Sequence, residues 1–169
     1  GMDLPGTSGG AAVVEHGRIR EGLGGQGLEL DFWKIAMRPG KPLMFGKIGT
    51  TPVLGLPGNP VSTLVCGTIF LRPAMAVLEG QANPVPSMET ARLGKPLPAN
   101  DRREDYLRAR LARAEDGGWI ATAMDRQDSS MLAFLADADC LIKRTAHAPA
   151  IDAGSEVSIL RLAGGARGI

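Results

Sequence analysis

Apolar positions along this chain change their period partway through, and that change divides it. In the first part, short apolar runs broken by Pro-Gly turns lead into one long helical pattern. Val53-Leu54-Gly55-Leu56 is a continuous run of strand length, and it predicts a buried strand over 52–56. Pro57-Gly58 then turns the chain sharply, because proline fixes φ and glycine tolerates what other residues do not. Asn59 is a good N-cap, and Pro60 suits the first helical position, where a missing N–H costs nothing. A helix is predicted from there to about residue 79, with Leu64, Ile69 and Leu71 on the face that meets a sheet. Pro73 lies inside this pattern, which predicts a kink or a division into two helices. Two more strands flank residues 39–42. In the upstream one Trp33, Ile35 and Met37 share a face, and Lys34, Ala36 and Arg38 share the other. A short helix over 14–23 is weakened by Gly17, Gly22, Gly24 and Gly25. Strand and helix signals that alternate in this way predict an α/β unit.

Residues 81–87 are rich in proline and small side chains and read as a linker. Beyond them the pattern becomes β. Residues 106–111 alternate, Asp116-Gly117-Gly118 supplies a turn, and 119–123 return, which together predict a β-hairpin. Ser129-Ser130 caps a short helix to about residue 135. Strands over 140–143 and 156–162 complete a small, mostly-β domain. Arg108 and Arg110, on one strand face, are expected to be solvated. The predicted organisation is therefore an α/β unit over 1–80, a linker over 81–87, a barrel-like β-domain over 88–164 and a tail over 165–169.

Composition narrows the partners. The formal net charge is +1 and aromatic residues make up 4% of the chain. A field that attracts nucleic acid or membrane is absent, as are the stacking platforms of a single-strand binder. No apolar run is expected to approach a membrane span and no signal peptide is expected, so a cytoplasmic location is the default. Cys66 and Cys140 lack metal-ligand spacing and read as small buried residues. His16 and His147 belong to no metal or triad pattern.

The candidate chemistry lies at two turns. The Pro57-Gly58-Asn59-Pro60 turn presents backbone N–H groups and the positive end of a helix dipole to one spot, with Ser62 adding a hydroxyl; such a spot suits an oxyanion or phosphate. Lys34, Arg38 and Lys41 set three cations around Pro39-Gly40; the fork of Arg38 and the mobile ammonium of Lys41 would complete an anion pocket. The plainer readings are an ordinary strand-to-helix corner and a solvated cationic turn.

Taken together, IAMRPGKPLMFG followed by VLGLPGNPVS resembles the MoeA-type molybdopterin molybdenumtransferases, kin of the C-terminal domain of gephyrin. Thr7-Ser8-Gly9-Gly10, Arg102-Arg103-Glu104-Asp105-Tyr106-Leu107-Arg108 and Gln127-Asp128-Ser129-Ser130-Met131-Leu132 extend the likeness over nearly the whole chain. The resemblance implies part of a three-layer α/β molybdopterin-binding domain followed by the small β-domain. It implies insertion of molybdenum from molybdate into adenylated molybdopterin (molybdopterin-AMP), with Mg2+ as the metal. It places Arg38, Lys41 and Ser62 in the molybdate region, and Ser8, Gly9 and Gly10 in the loop near the pterin phosphate. Pro57, Gly58, Asn59 and Pro60 shape the site, and Arg103 with Ser129 or Ser130 would contribute from the second domain.

The departures are equally specific. Where the family reads GGxSxGExD, this chain has Ala12 for the serine, Val14 for the third glycine and Gly17 for the aspartate. Glu15 survives and is the one candidate magnesium ligand. Relatives are much longer, and only a few residues precede the Thr7 turn here; Gly1 ahead of Met2 reads as a tag remnant. A misassigned start or a shortened paralogue would explain this, and a half sheet is expected to be covered in a homodimer or a strand-exchanged oligomer. Three functions stand side by side: molybdenum insertion, a non-catalytic module that binds molybdate, pterin or a partner protein, and a ligand-free structural remnant.

Overall fold

The computed structural model describes Leu4, 6–8, Gly25, 27–125, Gln127 and 137–162. It falls into two compact units, Gly1–Pro86 and Ser87–Ile169. The expected helices over 14–23 and 129–135 and the tail over 165–169 lie outside the described residues.

The first unit holds β1 (Gly6–Ser8), β2 (Leu28–Trp33), the two-residue β3 (Met37–Arg38), β4 (Met44–Ile48) and β5 (Thr51–Leu56). Four of these form a sheet in the order β1-β5-β4-β2. β1 runs parallel to β5, while β4 is antiparallel to both β5 and β2. Met44, Val53, Leu54 and Leu56 are buried, as the apolar run over 53–56 requires. The β2–β4 register shifts between Leu30 and Phe32. At that bulge Gly46 lies so close to the Glu29 carbonyl that a Cβ would collide with it.

The upstream strand ends earlier than its alternation predicts. Lys34 adopts φ 77, a left-handed conformation that stops β2 at Trp33. The chain then loops out and closes on itself, with the Lys34 N–H donating to Leu43 O and the Ile35 N–H to Lys41 O, both at 2.9 Å. The alternation of sides nonetheless persists. Met37 is buried, Trp33 and Ile35 are half-buried, and Lys34, Ala36 and Arg38 are exposed.

After β5 come α1 (Pro60–Cys66), a π-helical turn (Gly67–Leu71) and α2 (Arg72–Leu78). Pro73 neither breaks the helix nor leaves it regular. The turn before it widens, so that the Arg72 N–H donates to Gly67 O, five residues back. A proline lacks the N–H of the α ladder and crowds the carbonyl four residues back, and one wide turn absorbs both effects. The helical stretch Pro60–Leu78 spans 19 residues, with a mean hydropathy of 1.7 over an 18-residue window. By length and composition it could cross a membrane, which corrects the expectation that no apolar run approaches that length. Here Val61, Val65 and Cys66 are buried, and the helix packs along β5.

The second unit is a closed barrel. β6 (Glu89–Leu93), β7 (Glu104–Arg113), β8 (Trp119–Ala123), β9 (Cys140–Arg144) and β10 (Glu156–Arg161) run in the order β7-β8-β6-β10-β9, and β9 pairs again with β7. Ala91, Leu93, Ala109, Ala121, Cys140, Ile142, Val157 and Ile159 fill its interior. The expected hairpin is present as β7–β8, joined through Gly117 at φ 84. Only Arg110 of the two arginines expected in solvent is exposed; Arg108 is 2% exposed. Gln127 lies over it, accepting from the Arg108 N–H at 3.0 Å and donating to Arg108 O at 3.0 Å. Across the barrel surface, the guanidinium groups of Arg113 and Arg161 lie 3.7 and 4.3 Å from the centre of the Trp119 ring. The Arg161 Nε–H is shared by both carboxylate oxygens of Glu89 at 2.7 and 2.9 Å.

Candidate functional site

Register decides which loops of the first unit meet. Ser8, the last residue of β1, pairs with Leu56, the last of β5. Gly55 pairs with Met44, the first residue of β4, and Met44 pairs with Trp33, the last of β2. All four strands therefore deliver their loops to one edge of the sheet. Gly9 and Gly10 follow Ser8 in sequence, the 57–60 turn follows Leu56, and the 34–43 loop carrying Arg38 and Lys41 joins Trp33 to Met44. This is the carboxyl edge of the parallel pair, where open α/β sheets place their ligands. Gly9, Gly10 and Glu15 themselves lie outside the described residues.

The 57–60 turn is held from the helix side. Asn59 has φ −73 and ψ 126, and its Oδ1 accepts the Ser62 N–H at 3.2 Å. The Thr63 N–H donates to Asn59 O at 2.8 Å. Pro60 has no N–H, so these bonds already use much of the first-turn donor set. Ser62 is buried, and its hydroxyl lies 3.4 Å from Asn59 Oδ1. Thr63 Oγ1 lies within hydrogen-bond distance of both Asn59 O, at 2.9 Å, and Pro57 O. Pro57 is fully buried, whereas Gly58 and Pro60 are exposed. Thr63 is the functional candidate that sequence reading missed. Its signal was a hydroxyl one turn inside a helix whose cap sits between two prolines.

Arg38 and Lys41 project from a turn with a cis Arg38–Pro39 peptide, and both are exposed. Gly40, at φ 122, is buried against helix α1: a Cβ there would lie 2.5 Å from Met37 Cε and 2.6 Å from Cys66 Sγ. Cys66 is seven residues beyond Asn59, about 10 Å along the helix. The cationic turn thus leans on the body of α1 as well as sharing the sheet edge with its N-terminus. Lys34 Nζ rests 3.8 Å above the Trp33 ring, adding a third cation at that edge.

Arg103 belongs to the second unit. Its Nη2 meets Asp101 Oδ2 at 2.9 Å, and its backbone N–H donates to Asp101 Oδ1 at 2.8 Å. Ser129 and Ser130 lie outside the described residues. Burial pushes the Cys66 thiol up to about 12, so at neutral pH it is no nucleophile. Among the described residues, no three His, Cys, Asp or Glu side chains gather in a way that could hold a metal ion. What the sheet edge offers is cations and a rigid turn whose hydroxyls, Ser62 and Thr63, are engaged within it, a set that suits an oxyanion.

Two family models match the chain: a probable molybdopterin binding domain over residues 7–77 and the MoeA C-terminal region (domain IV) over residues 90–162. Molybdopterin molybdenumtransferase 1 of Mycobacterium tuberculosis is 32% identical over 166 residues, which are 95% of this chain and 38% of that protein. The molybdopterin molybdenumtransferase of Haemophilus influenzae is 34% identical over 158 residues, 93% of this chain and 39% of its own length. Among solved structures, the molybdopterin biosynthesis MoeA protein of Pyrococcus horikosii superposes with a TM-score of 0.72 at 27% identity. That superposition covers 96% of this chain and 38% of the other. The chain thus spans about two fifths of the length of these relatives.

Proposed function

The chain belongs to the MoeA family, and from that premise we propose that its sheet edge holds molybdate during molybdenum insertion into adenylated molybdopterin. One observation carries the reading: the strand register delivers the 57–60 turn and the Arg38–Lys41 turn to the same edge. Molybdate is a small dianion that must approach a second anionic reactant. Arg38 and Lys41 would offset that charge, because cations already in place at the edge need no reorganisation when the two anions meet. The 57–60 turn would orient the oxyanion through its outward peptide groups, with Ser8 and the glycines after it beside the pterin phosphate. The catalytic contribution of this chain is positioning and electrostatics. Mg2+ is the metal the family implies, but the carboxylates among the described residues do not gather to hold it. Its one candidate ligand, Glu15, lies outside them.

A second reading, binding without turnover, is favoured by Gly17, which stands where the family pattern has an aspartate. In either case the partners are small anions. We also propose that a second copy covers the apolar face of the helix in a homodimer. A cytoplasmic location accords with a helix packed on a sheet.

The test is equilibrium binding of molybdate and of adenylated molybdopterin to the 169-residue chain, beside an Arg38→Ala/Lys41→Ala variant. Molybdate should bind the parent and be lost in the double variant. A parent that binds neither ligand would overturn both readings and leave the turns as scaffold.

A further inference from the structure

The turn Pro57-Gly58-Asn59-Pro60 lacks the donor that ordinarily closes a turn. In a β-turn the first carbonyl accepts from the N–H of the fourth residue, and here that residue is Pro60, which has none. Pro57 is fully buried, so its carbonyl needs a partner within the protein. Thr63 Oγ1 meets that carbonyl from six residues away, while also reaching Asn59 O at 2.9 Å. Asn59 O, the usual acceptor of a helical threonine hydroxyl, already takes the Thr63 N–H at 2.8 Å, which leaves the single hydroxyl proton for Pro57 O. The contact to Pro57 O has no such helical origin.

Its consequence follows from peptide geometry. The only cis peptide among the described residues is Arg38–Pro39, so the Pro57–Gly58 peptide is trans. In a trans peptide the C=O and the following N–H point in opposite directions. Drawing Pro57 O onto Thr63 therefore turns the Gly58 N–H away from the helix, to the outer side of the turn. Gly58 is exposed there, at the edge proposed above for the anion.

We propose that Thr63 is the positioning residue of this site: its hydroxyl replaces the donor Pro60 cannot supply, fixes the turn, and aims the Gly58 N–H toward the oxyanion. This rests on the oxyanion reading above for the ligand, but not for the conformation of the turn.

The test separates hydroxyl from shape. Thr63→Val keeps the branched shape and removes the hydroxyl, whereas Thr63→Ser keeps the hydroxyl and removes the methyl; Thr63→Ala is a second hydroxyl-free variant should the valine protein not fold. Molybdate is titrated by calorimetry into the full chain and each variant, and the backbone amide NMR resonances of Gly58 and Asn59 are followed without ligand. Thr63→Val should weaken molybdate binding about tenfold, the effect of one poorly placed hydrogen bond. Its Gly58 and Asn59 resonances should shift, and Thr63→Ser should restore both. A role in packing alone predicts the reverse order, with valine tolerated and serine not, and that result would overturn the proposal. So would amide resonances unchanged in Thr63→Val. If the parent fails to bind molybdate but the resonances move as stated, the oxyanion reading falls and the turn-fixing role of Thr63 stands.

Discussion

At the scale of single residues, the two thiols show how burial becomes pH dependence. Cys66 and Cys140 are both fully buried and reduced, and burial is the main cause that pushes each thiol from 9.0 up to about 12. An unfolded chain would release these protons near the ordinary value, while the folded chain keeps them. Above pH 9.0 the unfolded state therefore binds fewer protons, and stability falls as pH climbs through the window up to about 12. Tyr106, pushed up from 10.0 by burial first and then by Glu104, adds the same sign. The expected result is a urea midpoint that drops steadily above pH 9.0, and a Cys66→Ala/Cys140→Ala variant, less stable at neutral pH, whose midpoint drops less steeply. Equal slopes in the two proteins would show that the thiols do not carry this linkage.

Among elements, the contact between the 34–43 loop and α1 is the most exacting. Gly40 sits at φ 122, with Met37 Cε and Cys66 Sγ where its Cβ would be. Gly40→Ala should therefore lower the unfolding free energy by about 2 kcal/mol, from backbone strain together with overpacking. Gly49→Ala is the control: φ is 58 there, but nothing stands within 4 Å of a Cβ, so only the strain remains and the loss should be smaller. Equal losses in chemical denaturation would mean that the loop does not press on the helix.

The same elements show what the sequence could and could not disclose. The 57–60 turn and the start of the helix behind it were legible because proline, glycine and an asparagine cap act within a few residues. The buried face of that helix was not: Leu64, expected against the sheet, is exposed, and Val61, Val65 and Cys66 are buried instead. Nor was β6 legible, since its alternation is short, centres on the small Ala91, and is completed by pairing with β8 and β10 far along the chain. The left-handed Lys34 escaped because nothing in its side chain favours φ 77. Arg108 was read as solvated because Gln127, which covers it, lies 19 residues away. As for the candidate site, residue types pointed to an anion, but only the strand register could put the two turns at one edge.

At the scale of the whole molecule, the helix from Pro60 to Leu78 poses the remaining physical problem. One side packs through Val61, Val65 and Cys66, yet Leu64, Met75 and Leu78 are 51%, 48% and 51% exposed. Beside them runs a groove of about 560 Å3, lined by Leu64, Leu71 and Met75 from the helix and by Pro84 and Pro86 from the segment that follows it. Large apolar side chains gathered on one helical face are a costly surface to leave in water. A two-fold pairing of helix against helix would remove them in both copies at once. The chain is therefore expected to run as a dimer in sedimentation equilibrium, with Leu64→Lys/Met75→Lys shifting it to monomer at unchanged circular dichroism. Because the sheet edge carrying Arg38 and Lys41 is built within one copy, that monomer should still bind molybdate. A parent chain that stays monomeric across the concentration range would remove the dimer, and a monomeric variant that lost molybdate would mean that the site needs its neighbour.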